Sequence, residues 1–143
     1  MKIQLNNSQL DTLREHSKKG RSAWGAGNIE EAERHFILAW SIIPEPKADH
    51  DYAQSLSRGL LTFFRDTKQF DKAKAWTTIM AEMYGSSSDL SVQFLAATIH
   101  FEAGEFDYAY ELFLAQYKSF GKRPFEGEDK KYLDFVLKRT TRK

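Results

Sequence analysis

A turn followed by an alanine recurs three times in this chain, and that recurrence narrows the folds open to it. The copies are Gly27-Asn28-Ile29-Glu30-Glu31-Ala32, Lys68-Gln69-Phe70-Asp71-Lys72-Ala73 and Gly104-Glu105-Phe106-Asp107-Tyr108-Ala109. Their alanines lie 41 and then 36 residues apart, a spacing that suits a helical-hairpin repeat in which neighbouring units cover each other's apolar faces. In two copies an aromatic follows the alanine by four residues, Phe36 and Phe113.

The segments between these turns read as helices. Ser8 is a plausible N-cap with Asp11 three residues on, and Leu10, Leu13 and Ser17 share a face up to about Gly25. Ile29, Ala32, Phe36, Ala39, Trp40 and Ile43 keep 3- and 4-residue spacing until Pro44 and Pro46 end the second helix. A third helix starts near Asp49 and carries Leu56, Leu60, Leu61 and Phe64. A fourth holds Phe70, Ala73, Trp76, Thr77, Met80 and Tyr84. Ser88 or Asp89 caps a fifth, with Phe94, Ala97 and Phe101, and a sixth carries Ala109, Leu112, Phe113 and Tyr117. Gly121-Lys122-Arg123-Pro124 breaks the pattern before a last helix at about 128–139 with Tyr132, Leu133, Val136 and Leu137. β-branched clusters occur only inside helical periodicity, so the expected fold is all-α with about seven helices in one domain, 1–143.

Composition excludes several kinds of chemistry. The chain has no cysteine, which removes disulfides, thiolate nucleophiles and Cys-based metal sites and fits a reducing compartment. Net charge is +1, from 21 basic and 20 acidic residues, so there is no bulk attraction to nucleic acid or to an anionic membrane. The first residues lack the apolar run of a secretory signal, and no window is long enough to span a bilayer. The expectation is a soluble, cytoplasmic protein.

The titratable residues offer little for catalysis. Asp49-His50-Asp51 has metal-ligand residue types, but neighbouring residues seldom converge on one ion, and a helix N-cap accounts for the acids. His35 and His100 fall beside or within apolar faces and read as structural. Glu102, Glu105, Asp107 and Glu111 form an acidic patch on a turn, where solvation is the simpler explanation than acid–base work. No phosphate loop, zinc motif or nucleophile elbow is present. No enzyme activity, metal or cofactor is expected. The basic tail Lys138-Arg139-Thr140-Thr141-Arg142-Lys143 reads as a helix end whose cations suit the dipole.

The repeat resembles the tetratricopeptide family, whose pattern combines small residues at the helix crossing, a glycine-polar-aromatic turn, an alanine, a later aromatic and a closing proline. Gly20, Ala23, Gly27-Asn28-Ile29, Ala32, Phe36, Ala39 and Pro44 match in the first repeat, about 10–44. Ala96-Ala97, Gly104-Glu105-Phe106, Ala109 and Phe113 match in the third, about 89–121. The second, about 49–85, fits at Leu60-Leu61, Phe64, Phe70, Ala73 and Met80, but Thr77 replaces the aromatic; Lys19 departs from the family's leucine in the first. The resemblance implies a right-handed α-solenoid of three antiparallel hairpins. The seventh helix then caps it, with Asp129, Lys130, Lys131, Asp134 and Lys138 on its wet face.

In such a family the first helix of each hairpin lines a concave groove. Carried over in phase, the groove positions are Arg14, Ser17, Arg21 and Trp24, then Ser55, Arg58, Thr62 and Arg65, then Ser91, Phe94, Thr98 and Phe101. Independently of the family, Arg14 and Arg21, and Arg58 and Arg65, are each seven apart and share a helical face. Arginine forks suit carboxylates and aromatics anchor interfaces. The alternative is solvated arginines paired with Asp11, Glu15 or Asp66. Ser17 and Arg21 stand where the family's carboxylate clamp has lysine and asparagine, so a chaperone-tail adaptor is not expected.

The expected function is therefore a non-catalytic module binding an acidic peptide or protein surface through Arg14, Arg21, Trp24, Arg58, Thr62, Arg65, Phe94, Thr98 and Phe101. Small bacterial proteins of this appearance include immunity proteins and secretion chaperones, and segments 121–129 and 132–135 look like those of short repeat proteins of toxin loci. The alternative is a nucleic-acid-binding accessory using the arginines and the basic tail. Self-association through Trp40, Trp76, Tyr108 or Tyr110 is a further possibility.

Overall fold

A computed structural model describes residues 1–141. Among these, the chain is all-helical: α1 (Asn7–Gly25), α2 (Ile29–Ile42), α3 (Ala53–Asp66), α4 (Phe70–Tyr84), α5 (Leu90–Glu102), α6 (Phe106–Phe120) and α7 (Lys130–Thr141), with short 3₁₀ turns at Lys47–Asp49 and Arg123–Phe125. The strongest packing joins α1 to α2, α3 to α4 and α5 to α6, so the helices form hairpins. Successive hairpins meet through α2–α3 and α4–α5, and α7 packs on α6.

The recurring turn builds the hairpins in one way each time. Gly27, Lys68 and Gly104 take positive φ values of 80°, 62° and 82°. The backbone N–H groups of Asn28, Gln69 and Glu105 donate to the carbonyls of Ala23, Phe64 and His100, at 2.8 Å in every copy. This closing bond satisfies a carbonyl that a helix end otherwise leaves open. The carbonyls of Asn28, Gln69 and Glu105 then accept from the N–H groups of Ala32, Ala73 and Ala109 at 2.9–3.0 Å, starting the next helix. All three alanines are fully buried.

Small residues set the crossing distance. A β-carbon on Gly20 would stand 2.6 Å from the Phe36 ring. Phe36 in turn packs edge-on against Trp24 and Phe63, and Phe63 against Phe64. In α4, Thr77 gives its hydroxyl to the Ala73 carbonyl, and the buried aromatic is Trp76, one position earlier, against Trp40 and Phe64. A second aromatic cluster joins Phe94 and Phe113 to Phe125 and Tyr132. It fastens α7 and the turn before it onto the last hairpin. The wet face expected for α7 is there: Asp129, Lys130, Lys131, Asp134 and Lys138 are exposed.

Three local expectations are corrected. The first helix is capped by Asn6, not Ser8. Asn6 accepts from the Gln9 N–H while the Gln9 side chain accepts from the Asn6 N–H, a reciprocal box that Ser8, already within the first turn, cannot make. Asp49 and Asp51 do not cap α3. Their backbone pairs with Ile3 (Ile3 N–H to the Asp49 carbonyl, Asp51 N–H to the Ile3 carbonyl), and α3 begins only after Tyr52, whose φ is 72°. The last helix runs over 130–141 rather than 128–139, capped by Asp129 through the Lys131 N–H. Of the basic tail, Arg142 and Lys143 lie outside the described residues.

Candidate functional site

The nine residues expected to line a groove fall into four different environments. Arg14 and Arg21 are exposed on α1, and neither has a side-chain partner among the described residues. Trp24 is half-buried, packed edge-on against Phe36 and Phe63, 5.0 Å from the latter. Phe101 packs against Phe106, Tyr132 and Phe135. Phe94 is buried at the centre of the second aromatic cluster. These aromatics hold helices together.

Arg58 and Arg65 share a face of α3 but differ in availability. Arg65 Nε and Nη2 donate to the two carboxylate oxygens of Asp66 at 2.8 and 3.3 Å, and Nη1 donates to Thr98 Oγ1 at 2.9 Å. Thr98 is fully buried and gives its own proton to the Leu95 carbonyl. Only 13% of the Arg65 side chain is exposed. Burial works against its charge, but bonding to Asp66, with Tyr132 and Glu102 nearby, outweighs that and holds Arg65 more basic than usual. Arg65 and Thr98 therefore form a structural link between α3 and α5. Arg58 is different: 40% of its side chain is exposed, and its nearest anion is Glu128 at 3.6 Å, beyond hydrogen-bond range.

Arg58 stands between two clefts. One, of about 300 Å3, opens where the start of α5 and the end of α6 meet the Arg123–Phe125 turn. Its lining includes Ser91, Phe94, Gln116 and Arg123. The other, of about 440 Å3, lies along α3 beside the 50–52 connection, where Thr62 and Ser55 face His50 and Tyr52. Thr62 commits its proton to the Gly59 carbonyl and keeps an acceptor. Of the nine predicted residues, the clefts thus bring together Arg58, Thr62 and Phe94.

Beside Arg65 lies a tighter polar network. Tyr132 on α7 donates its hydroxyl to Glu102 at 2.8 Å, and Lys131 pairs with the same carboxylate oxygen at 2.8 Å. Burial first, and the Glu102 bond second, push the Tyr132 hydroxyl well above its ordinary range.

The histidines are engaged within the protein. His16 and His35 meet across the first hairpin, Nδ1 to Nδ1 at 3.0 Å, and Glu31 stands 3.1 Å from the other nitrogen of His35. Nδ1 of His50 donates to the Pro46 carbonyl at 2.9 Å. His100 bonds Glu105, which Lys74 also holds. The Lys74 bond first, and His100 next, keep the Glu105 carboxyl below the usual carboxylate range. Among the described residues no group of three or more His, Asp or Glu converges on a point suited to a metal ion. Among the described residues no helix is long and apolar enough to cross a membrane.

Sequence reasoning overlooked Leu90, Gln116, Phe120 and Arg123 in the smaller cleft. Arg123 was legible only as part of a helix breaker. Leu90 and Phe120 carried no signal beyond being large apolar residues at helix ends. Comparison with protein-family models, curated proteins and solved structures gives no significant match.

Proposed function

We propose that this chain is a non-catalytic, tetratricopeptide-like binding scaffold that takes an acidic peptide or protein surface on the side formed by α1 and α3 with the start of α5. The observation that carries the reading is Arg58, an accessible cation held on a ridge between two clefts. Arg14 and Arg21 are two further exposed cations, on α1, with no competing partner among the described residues. An interface of this kind gains rate and orientation from the charges and affinity from what enters the clefts. The close Gly20–Phe36 crossing and the three repeated turns support the family likeness.

Such a protein acts by occupying its partner, as immunity proteins and secretion chaperones do, and the cytoplasm is the compartment we assign to it. The test is fluorescence anisotropy with labelled acidic peptides, with a labelled DNA duplex as the contrasting polyanion. Arg58→Glu is expected to weaken peptide binding about tenfold or more, the equivalent of roughly 1.4 kcal/mol. Peptide affinity indifferent to this charge reversal would sink the reading, and a preference for the duplex would replace it with nucleic-acid binding.

A further inference from the structure

We propose that the smaller cleft holds one large apolar side chain of the partner next to a carboxylate, which Arg58 and Arg123 receive between them. This rests on the acidic-partner reading and narrows it to a segment in which an acidic residue adjoins Leu, Phe or a similar side chain.

The walls supply the apolar half of the recognition. Leu90, Phe94, Leu95, Phe120 and Pro124 line the cleft. Phe94 and Leu95 are buried, but Leu90 and Phe120 are 50% and 46% exposed. Two large apolar side chains left in water beside a concavity gain by covering, at about 25 cal/mol per Å2 removed from solvent. At about 300 Å3 the cleft sits at the lower edge of the range for ligand pockets, roughly 300–1,000 Å3. It therefore suits a side chain with its adjoining backbone rather than a cofactor.

The rim supplies the charged half. Arg123 is exposed and has no side-chain hydrogen bond or ion pair among the described residues. Arg58 faces Glu128, the one acidic residue of the lining, across 3.6 Å. Two guanidinium groups against one carboxylate leave a positive excess that a ligand carboxylate neutralises.

Gln116 adds a polar contact with a definite sense. Its Nε2 donates to the Leu90 carbonyl at 3.0 Å, which fixes the amide orientation. Oε1 is then buried with no donor among the described residues. A buried acceptor without a partner costs about 1–3 kcal/mol. A peptide N–H entering beside it supplies the missing proton, which a hydrocarbon or a simple anion does not.

The test compares two sets of labelled heptapeptides by anisotropy, one purely acidic and one with Leu or Phe placed among Asp and Glu. The mixed set is expected to bind at least about tenfold more tightly, and Phe120→Ala and Arg123→Gln each to shrink that margin severalfold. Because Phe120 is a rim residue, circular dichroism of Phe120→Ala should match the unaltered protein. In parallel, the Gln116 side-chain amide resonance is expected to shift with mixed peptides and stay still with purely acidic ones. Equal affinity for both sets, or a margin untouched in both variants, overturns this proposal, and binding that still depends on Arg58 leaves the broader reading standing. Binding indifferent to Arg58→Glu, or no binding by either set up to about millimolar concentration, overturns both.

Discussion

Gly20 and the ring of Phe36 approach so closely that α1 and α2 have no room for a β-carbon between them. Phe36 is itself wedged against Trp24 and Phe63, so it cannot swing aside without disturbing the first core. Gly20→Ala is therefore expected to destabilise the fold despite alanine's better helix propensity. Overpacking of this kind costs about 1–3 kcal/mol, and urea unfolding would measure it.

Lys68 holds, with a side chain, the backbone conformation that Gly27 and Gly104 hold without one. A left-handed conformation costs a residue with a β-carbon roughly 1–2 kcal/mol, while glycine returns part of this as unfolded-state entropy. Lys68→Gly should raise stability by about 0.5–1 kcal/mol, and no surrounding contact is lost because Lys68 is exposed. A fall in melting temperature would contradict this account of the middle turn.

Arg58 and Arg65 should separate binding from stability. Arg65→Ala removes the donor to Thr98 and the bidentate pair with Asp66, and is expected to cost about 1–3 kcal/mol of folding stability. Arg58→Ala should leave the unfolding midpoint nearly unchanged and weaken peptide binding. Chemical denaturation and anisotropy on the same two variants decide this.

The pH dependence has opposite signs at two sites. Glu105 has a depressed folded value, so its contribution is present above the unfolded value of 4.5 and is lost as pH falls through the folded one. Glu105→Gln should thus be less stable than the unaltered protein near neutrality and converge with it in strong acid. Tyr132 has a raised folded value. Its contribution is whole below the unfolded value of 10.0 and drains as pH climbs past that toward the folded one. Tyr132→Phe should remove the latest-titrating component of a spectrophotometric titration. It should also cost about 1.5–3 kcal/mol near neutrality, the range for hydrogen bonds to charged groups.

The helical architecture was legible because its determinants are local. A turn residue and an alanine, with an aromatic four positions on in two copies, mark a hairpin within a dozen residues; Asp89, one of the two residues expected, caps α5, and α7 starts two residues from its expected place. Where longer-range pairing decided the geometry, the reading failed. Asp49 and Asp51 looked like caps, yet the distant Ile3 claims their backbone. The candidate face was legible in part for the same reason. Helical phase put Arg58 and Arg65 on one side, but it does not encode that Asp66 and Thr98 would engage one of them. Nor does it encode that Tyr132 and Phe135 of α7 would return to cover Phe101.

The three turns have a consequence for how such a chain changes over generations. Each closes its own backbone bonds, asking nothing of the hairpins on either side. Register between units is left to interlocking side chains such as Trp40 with Trp76. A hairpin built around one such turn is thus a self-contained cassette that duplication can add or deletion remove, provided the flanking aromatics still mesh. The length of the helical stack, and with it of the proposed binding face, is an inheritable variable, set by how many cassettes lie between Asn6 and the final helix.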